Sequence, residues 1–374
     1  NDIPGSTITG LIRPSAGEFG GADLVLTVRR RTYEASYTFD NRGTKYIGPF
    51  QHTIILGANS LINTYDHTQF RYMTVMPFRE LFLAELQHDE ILDSEGTKLS
   101  LLGSHTQTRP GDSLKPLRIE GNSDLYEVKL SHPFLRSRQQ SLAARAVLDI
   151  RNTVVDVFSG TPFTRDRLRI LRAGGTYNFI DDIQGSDSID VQLSQGMNIF
   201  GATNKGTDRS NTIGDSDFTK VNFDMSRLQP FSDGISLLTA ATGQYSFEPL
   251  LTDEQFSIGG AEYGRAFDPS EGLGDSGIAG KFELRYDELV NEPYFDSYQL
   301  FGYFDVGEIW VRGTAPGSKD ASLSLASTGL GTRFRLTENF SGSVEANFPV
   351  VRPMTDPTGF RHNPRIYFSL SARF

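Results

Sequence analysis

The sequence predicts an all-β fold, a transmembrane antiparallel barrel of about sixteen strands. Three observations predict it. From Arg31 to the end, segments of roughly ten residues alternate apolar with polar, and their connections are short and long in turn. No apolar run is long enough for a membrane-spanning helix. The last segment sets Ile366, Phe368, Leu370, Ala372 and Phe374 on one face, and Arg365, Tyr367, Ser369, Ser371 and Arg373 on the other. The edge of a soluble β-sandwich alternates in the same way. Two-faced strands continued for roughly 300 residues, with aromatics concentrated on the apolar face, favour a wall that meets lipid.

The elements follow in order. Residues 1–30 differ from the rest: a turn-rich start at Asp2, Pro4 and Gly5, then Ile8 to Ile12, then one good strand at Asp23 to Val28. They read as part of a small periplasmic α/β module, too short to bury a core alone. Residues 31–374 read as the barrel. Its expected strands are Tyr33 to Asp40, Gln51 to Asn59, His67 to Met76, Leu81 to Asp89, Lys98 to Thr108 and Asp124 to Ser131. Ser141 to Val157, Arg165 to Asn178, Ser188 to Phe200, Phe218 to Leu228 and Ile235 to Phe247 continue the series. Ile278 to Tyr286, Tyr298 to Val311, Ser322 to Leu336, Phe340 to Val350 and Arg365 to Phe374 close it. A long loop, about residues 249–277, interrupts the rhythm.

Composition narrows the function. The net charge is −10, which argues against nucleic acid as a partner. Cysteine is absent, which excludes disulfides, thiolate metal sites and a cysteine nucleophile. His52, His67, His88, His105, His132 and His362 show no metal spacing, so neither metal nor cofactor is expected. Gly329-Leu330-Gly331 lies within a strand and reads as close backbone packing in the wall, not a dinucleotide loop. Asp268, Glu271 and Asp275 lack a calcium-loop spacing and read as a solvated loop. The start, with no initiator Met and no apolar leader, reads as the interior of a longer protein, processed or truncated.

The candidate site centres on the long loop. Arg265 sits between Gly264 and Ala266 and is followed by Phe267, a cation among small residues that invites a buried partner. On the strand Tyr298 to Val311, alternation puts Phe301, Tyr303, Asp305 and Gly307 on the lumen face. Asp305 is the first candidate partner and can accept a bidentate arginine contact. Glu283, inward on the preceding strand, is the second. The alternative is an exposed loop arginine and a solvated lumen charge, which would contribute little.

These residues carry a family resemblance. The chain resembles the transporters of two-partner secretion, the haemolysin secretion/activation type within the Omp85 superfamily. Phe39-Asp40-Asn41-Arg42-Gly43 resembles the motif that opens the family's barrel, and Ser131 to Ser137 and Gln192 to Gly196 also fit. Gly264-Arg265-Ala266-Phe267 is similar to the family's V-R-G-[FY] loop tip, matching at Arg265 and Phe267 and departing at Gly264 and Ala266. Tyr303-x-Asp305-x-Gly307 is similar to its [FY]-x-D-x-G strand motif. The resemblance implies a sixteen-stranded barrel with an extracellular loop folded inside, Arg265 paired with Asp305, and residues 1–30 as the end of a POTRA domain. It implies a monomeric transporter, not an enzyme, in the lipid of the bacterial outer membrane. It passes an unfolded exoprotein without nucleotide hydrolysis. An outer-membrane insertase from the same superfamily and a passive porin are the alternatives.

Overall fold

The computed structural model describes residues 3–17, 20–204, 206, 208–313, 320–351 and 364–374. Asn1 and Asp2 of the turn-rich start, and His362, lie outside them. The chain begins with two strands, β1 (Ser6–Pro14) and β2 (Ala22–Arg30), paired antiparallel as a sheet of their own. The fragment thus carries two strands where one good strand was expected. Ser6–Pro14 is also extended, and Gly10 and Pro14 had hidden its alternation. Leu11 of β1 and Leu24 and Leu26 of β2 stand in the open, each more than half exposed.

The barrel strands are β3 (Tyr33–Asp40), β4 (Phe50–Asn59), β5 (Asp66–Met76), β6 (Leu81–Ile91), β7 (Lys98–Thr108), β8 (Glu120–Arg136), β9 (Gln140–Val157) and β10 (Thr161–Ile180). β11 (Ser186–Gly196), β12 (Thr219–Ser232) and β13 (Ile235–Ser246) follow. Two short strands of the long loop come next, β14 (Phe256–Ile258) and β15 (Gly272–Gly274). β16 (Ser276–Glu292), β17 (Phe295–Val311), β18 (Ala321–Arg335), β19 (Phe340–Val351) and β20 (Arg365–Arg373) complete the wall. Each barrel strand pairs antiparallel with the next, and β20 pairs with β3 to close the ring. Closure satisfies every strand edge, the condition for a sheet surrounded by lipid. No helix among the described residues is long and apolar enough to cross a membrane.

Alternation sets the two faces as expected. Phe282, Leu284, Leu300, Phe304, Val306, Leu330 and Leu370 point outward and are exposed, an apolar outer face. Glu283, Asp305, Ser327 and Asn347 point into the lumen and are buried. The expected strand Ser188 to Phe200 overran, since β11 stops at Gly196. There Phe218 packs so closely that an added Cβ would lie 2.4 Å from its ring.

The seam between β20 and β3 is short. Its ladder holds five residue pairs, from Ser369 opposite Asp40 to Arg373 opposite Ser36. Beyond it the Asn41 backbone amide still donates to the Phe368 carbonyl at 3.3 Å, and its side chain adds two contacts. Its Nδ2 donates to the Ile366 carbonyl at 3.0 Å, and its Oδ1 accepts from the Phe368 amide at 2.7 Å. Arg42 then reaches Glu345 at 2.9 Å. Asn41→Ala removes both side-chain contacts, a loss of about 1–3 kcal/mol at the usual worth of a hydrogen bond. We expect the folded barrel to unfold at a lower temperature in heat-modifiability gels. An unchanged transition would mean that the backbone ladder alone holds the seam.

Candidate functional site

The loop between β13 and β16, residues 247–275, turns back into the lumen. Its tip meets β17 at consecutive inward positions, and each position does something different. Asp305 takes the arginine: Arg265 Nε donates to Oδ2 at 3.0 Å and Nη2 to Oδ1 at 2.9 Å. The backbone amides of Arg265 and Gly264 add donors to Oδ2 at 3.2 and 3.3 Å. Tyr303, two residues earlier, lies under the guanidinium, with Arg265 Cζ 3.4 Å from the ring centroid. Gly307, two residues later, leaves space for Ile258 of β14. A Cβ there would stand 3.2 Å from Ile258 Cγ2.

The second carboxylate is Glu283 on β16. Arg265 Nη1 donates to its Oε2 at 2.6 Å, while Arg285 and Arg333 hold its Oε1 at 2.8 and 2.9 Å. Arg265 is 4% exposed and Asp305 0%. Burial works against the Arg265 charge. The hydrogen bonds and negative charge of Asp305, with those of Glu283, more than reverse this and hold its pKa above the ordinary arginine value. Around the ion pairs, Phe256, Ile258, Ala266 and Phe267 of the loop pack on Ala279, Ile309 and Leu325 of the wall. Gly264 has φ +87°, a left-handed conformation that valine would resist. In this chain the permissive residue therefore stands before the arginine, and Ala266 fills the buried position after it.

The base of the loop carries a further cluster that alternation did not reveal. A single 3-10 turn, Thr252–Glu254, delivers Glu254 to the wall. Arg172 of β10 forks onto it, Nη2 to Oε1 at 2.8 Å and Nη1 to Oε2 at 3.1 Å. Lys220 of β12 lies 2.8 Å from Oε2. Lys220 Nζ and Gln244 Nε2 also donate to the Glu254 carbonyl, at 2.8 and 3.0 Å. Leu250 and Leu251 pack beside them on Leu168, Ile170 and Phe218. Asp275 closes the loop, accepting from the Leu250 amide at 2.8 Å and the Arg312 amide at 2.9 Å. Asp275 is buried, which corrects its reading as part of a solvated loop. Asp268 is not free in solvent either, since Arg365 of β20 pairs with it. Inward cations such as Arg172 can be read from strand parity. Their loop partner cannot, because a 3-10 turn has no period to count.

Burial pushes the Glu254 carboxyl up, but the charges of Lys220 and Arg172 pull it further down, to about 2 from an ordinary 4.5. A depressed carboxyl stabilises the fold fully above its unfolded value and loses that contribution as pH falls through its folded one. The base clasp is therefore expected to hold at pH 5 and to fail progressively as pH drops from 4.5 toward 2. Hydrogen exchange across residues 250–258 checks it. Protection that stays flat over this range would remove Glu254 as its source.

No group of three or more His, Cys, Asp or Glu able to hold a metal occurs among the described residues. The cluster joins loop to wall through ion pairs, hydrogen bonds and apolar packing.

Comparison with known proteins agrees with this architecture. Residues 20–334 match the family model described as haemolysin secretion/activation protein ShlB/FhaC/HecB. The heme/hemopexin transporter protein HuxB of Haemophilus influenzae (strain 86-028NP) is 22% identical over 366 residues, 95% of this chain and 62% of that protein. The chain thus spans less than two thirds of that relative's length. CdiB from Escherichia coli has the same fold, with a TM-score of 0.80 at 22% identity over 98% of this chain and 67% of that one. BamA from Haemophilus ducreyi lacking POTRA domains 1-3 follows at a TM-score of 0.62 and 10% identity, covering 100% of this chain and 76% of that one.

Proposed function

The chain belongs to the haemolysin secretion/activation family of outer-membrane barrels, transporters rather than enzymes, and we propose that it passes an unfolded partner exoprotein through its lumen. The observation that carries this reading is a sixteen-stranded wall with a loop drawn inside it and pinned by Arg265 to Asp305 and Glu283. A barrel of this strand number is wide enough for an aqueous channel, and an extended chain needs no more. The pinned loop then acts as the lid. Folding of the exoprotein outside supplies the direction of transport in place of nucleotide hydrolysis. Strands β1 and β2, with their exposed leucines, are in this reading the end of a POTRA domain that receives the exoprotein.

The test uses the full-length protein, expressed with the exoprotein encoded beside it, and measures exoprotein in the medium with and without the barrel. Barrel-dependent release is expected. If the barrel inserts and conducts ions but nothing is released, the reading fails. An effect on assembly of other outer-membrane barrels would then favour an insertase, and none would favour a passive porin.

A further inference from the structure

We propose that Glu254 is a second anchoring residue, which keeps the base of the lid loop on the wall while only the tip, residues 259–271, swings. This rests on the translocation reading above and says which part of the lid moves.

The loop is built in two parts. The base is the Thr252–Glu254 turn with the ladder of β14 on β15, where Phe256 faces Gly274 and Ile258 faces Gly272. The turn lies against β9 to β13 and the ladder against β16 and β17. Arg172 and Lys220 hold Glu254, and Thr153 donates to Asp253 at 2.6 Å. Arg172 is itself committed, to Asp149 at 2.6 Å and Ser194 at 3.0 Å. Withdrawing Glu254 would leave two buried cations facing one carboxylate, a costly state. The tip shares the apolar cluster of Phe256 and Ile258 and adds polar anchors of its own, Arg265 to β16 and β17 and Asp268 to Arg365 of β20. Going round the wall, β20 stands eight strands from β10. The last step across the lumen, from β17 to β20, therefore belongs to the tip.

The joint between the parts is conformationally marked. Gly259 and Gly260 follow β14 directly and both have positive φ, +103° and +93°. On the return, Ser270 has φ 56°, two residues before β15. Glycines in this region pass between φ wells without the clash that other residues meet. The tip's outermost contact is also its weakest. Arg365 and Asp268 are each about one third exposed, so solvent screens the pair.

The sequence contains no cysteine, so introduced pairs are its only thiols. Asp215 and Leu250 are bridge partners, so D215C/L250C locks the base. Ala266 and Leu325 are buried in one cluster, so A266C/L325C, closed by a disulfide or a short bismaleimide, locks the tip. The readout is opening steps of the full-length protein in planar bilayers. The base lock is expected to open as often as the parent. The tip lock is expected to stay shut until reduced or left uncrosslinked. Glu254→Gln added to the tip lock is expected to return roughly tenfold more openings than the tip lock alone, as the loop then leaves from its base. A mere loss of barrel stability would not do this. Silence of the base lock, continued opening of the tip lock, or no rescue by Glu254→Gln would each overturn the proposal. If the parent releases no exoprotein in cells while the locks divide as described, the hinged lid stands and the translocation reading falls.

Discussion

Arg265→Ala is expected to leave an inserted barrel whose exoprotein release falls at least tenfold. Breaking a buried ion pair from one side costs about 3–5 kcal/mol, mostly because the abandoned charge stays buried. The two carboxylates do not suffer equally. Glu283 keeps Arg285 and Arg333, whereas Asp305 retains only neutral donors such as the Ser327 hydroxyl at 3.4 Å. The damage therefore falls on Asp305, and Arg265→Ala with Asp305→Ala should be less unstable than Arg265→Ala alone. Secretion should not recover in the double variant, because the tip still has no partner. Arg265→Lys is expected to resemble alanine. An ammonium cannot fork onto Asp305 while reaching Glu283, nor lie flat on Tyr303. Release into the medium, normalised to folded barrel on heat-modifiability gels, is the measurement. Parental release by Arg265→Ala would mean that the pinned tip has no part in transport.

Much of this arrangement was legible because alternation is binary. Once Phe282 and Leu284 face outward, Glu283 must face the lumen, and the same step places Asp305. The tip arginine stood out by its small neighbours. Legibility ended where period ends. The 3-10 turn that carries Glu254, the Asn41 side chain that extends the seam and the route of Asp268 to Arg365 all depend on three-dimensional approach between segments far apart in sequence. The expected strand Asp124 to Ser131 fell short for a related reason. β8 spans Glu120–Arg136, and its register with β9 shifts between Pro133 and Leu135, a bulge that hides the alternation beyond. Gly329 and Gly331 were readable as close packing, but not what approaches them.

The structure answers that, and a second large effect follows. Tyr303 lies opposite Gly329 and Phe301 opposite Gly331, each aromatic ring folded over the glycine across the ladder. A Cβ on Gly329 would stand 2.4 Å from the Ala346 carbonyl and 2.6 Å from Tyr303 Cε1. The carbonyl belongs to the next strand and cannot retreat, so the ring must. Gly329→Ala is expected to cost about 1–3 kcal/mol by overpacking. It should also lift Tyr303 from beneath Arg265 and from its hydrogen bond to Asn347. Gly331→Ala makes the matching control. Its Cβ would meet Phe301 Cζ at 2.6 Å and the Val344 carbonyl at 2.7 Å, but Phe301 carries Arg333 rather than the lid. Both variants should unfold at lower temperature. Per folded barrel, only Gly329→Ala should secrete as poorly as Arg265→Ala. Equal secretion by the two glycine variants would show that Tyr303 packs the wall without supporting the lid.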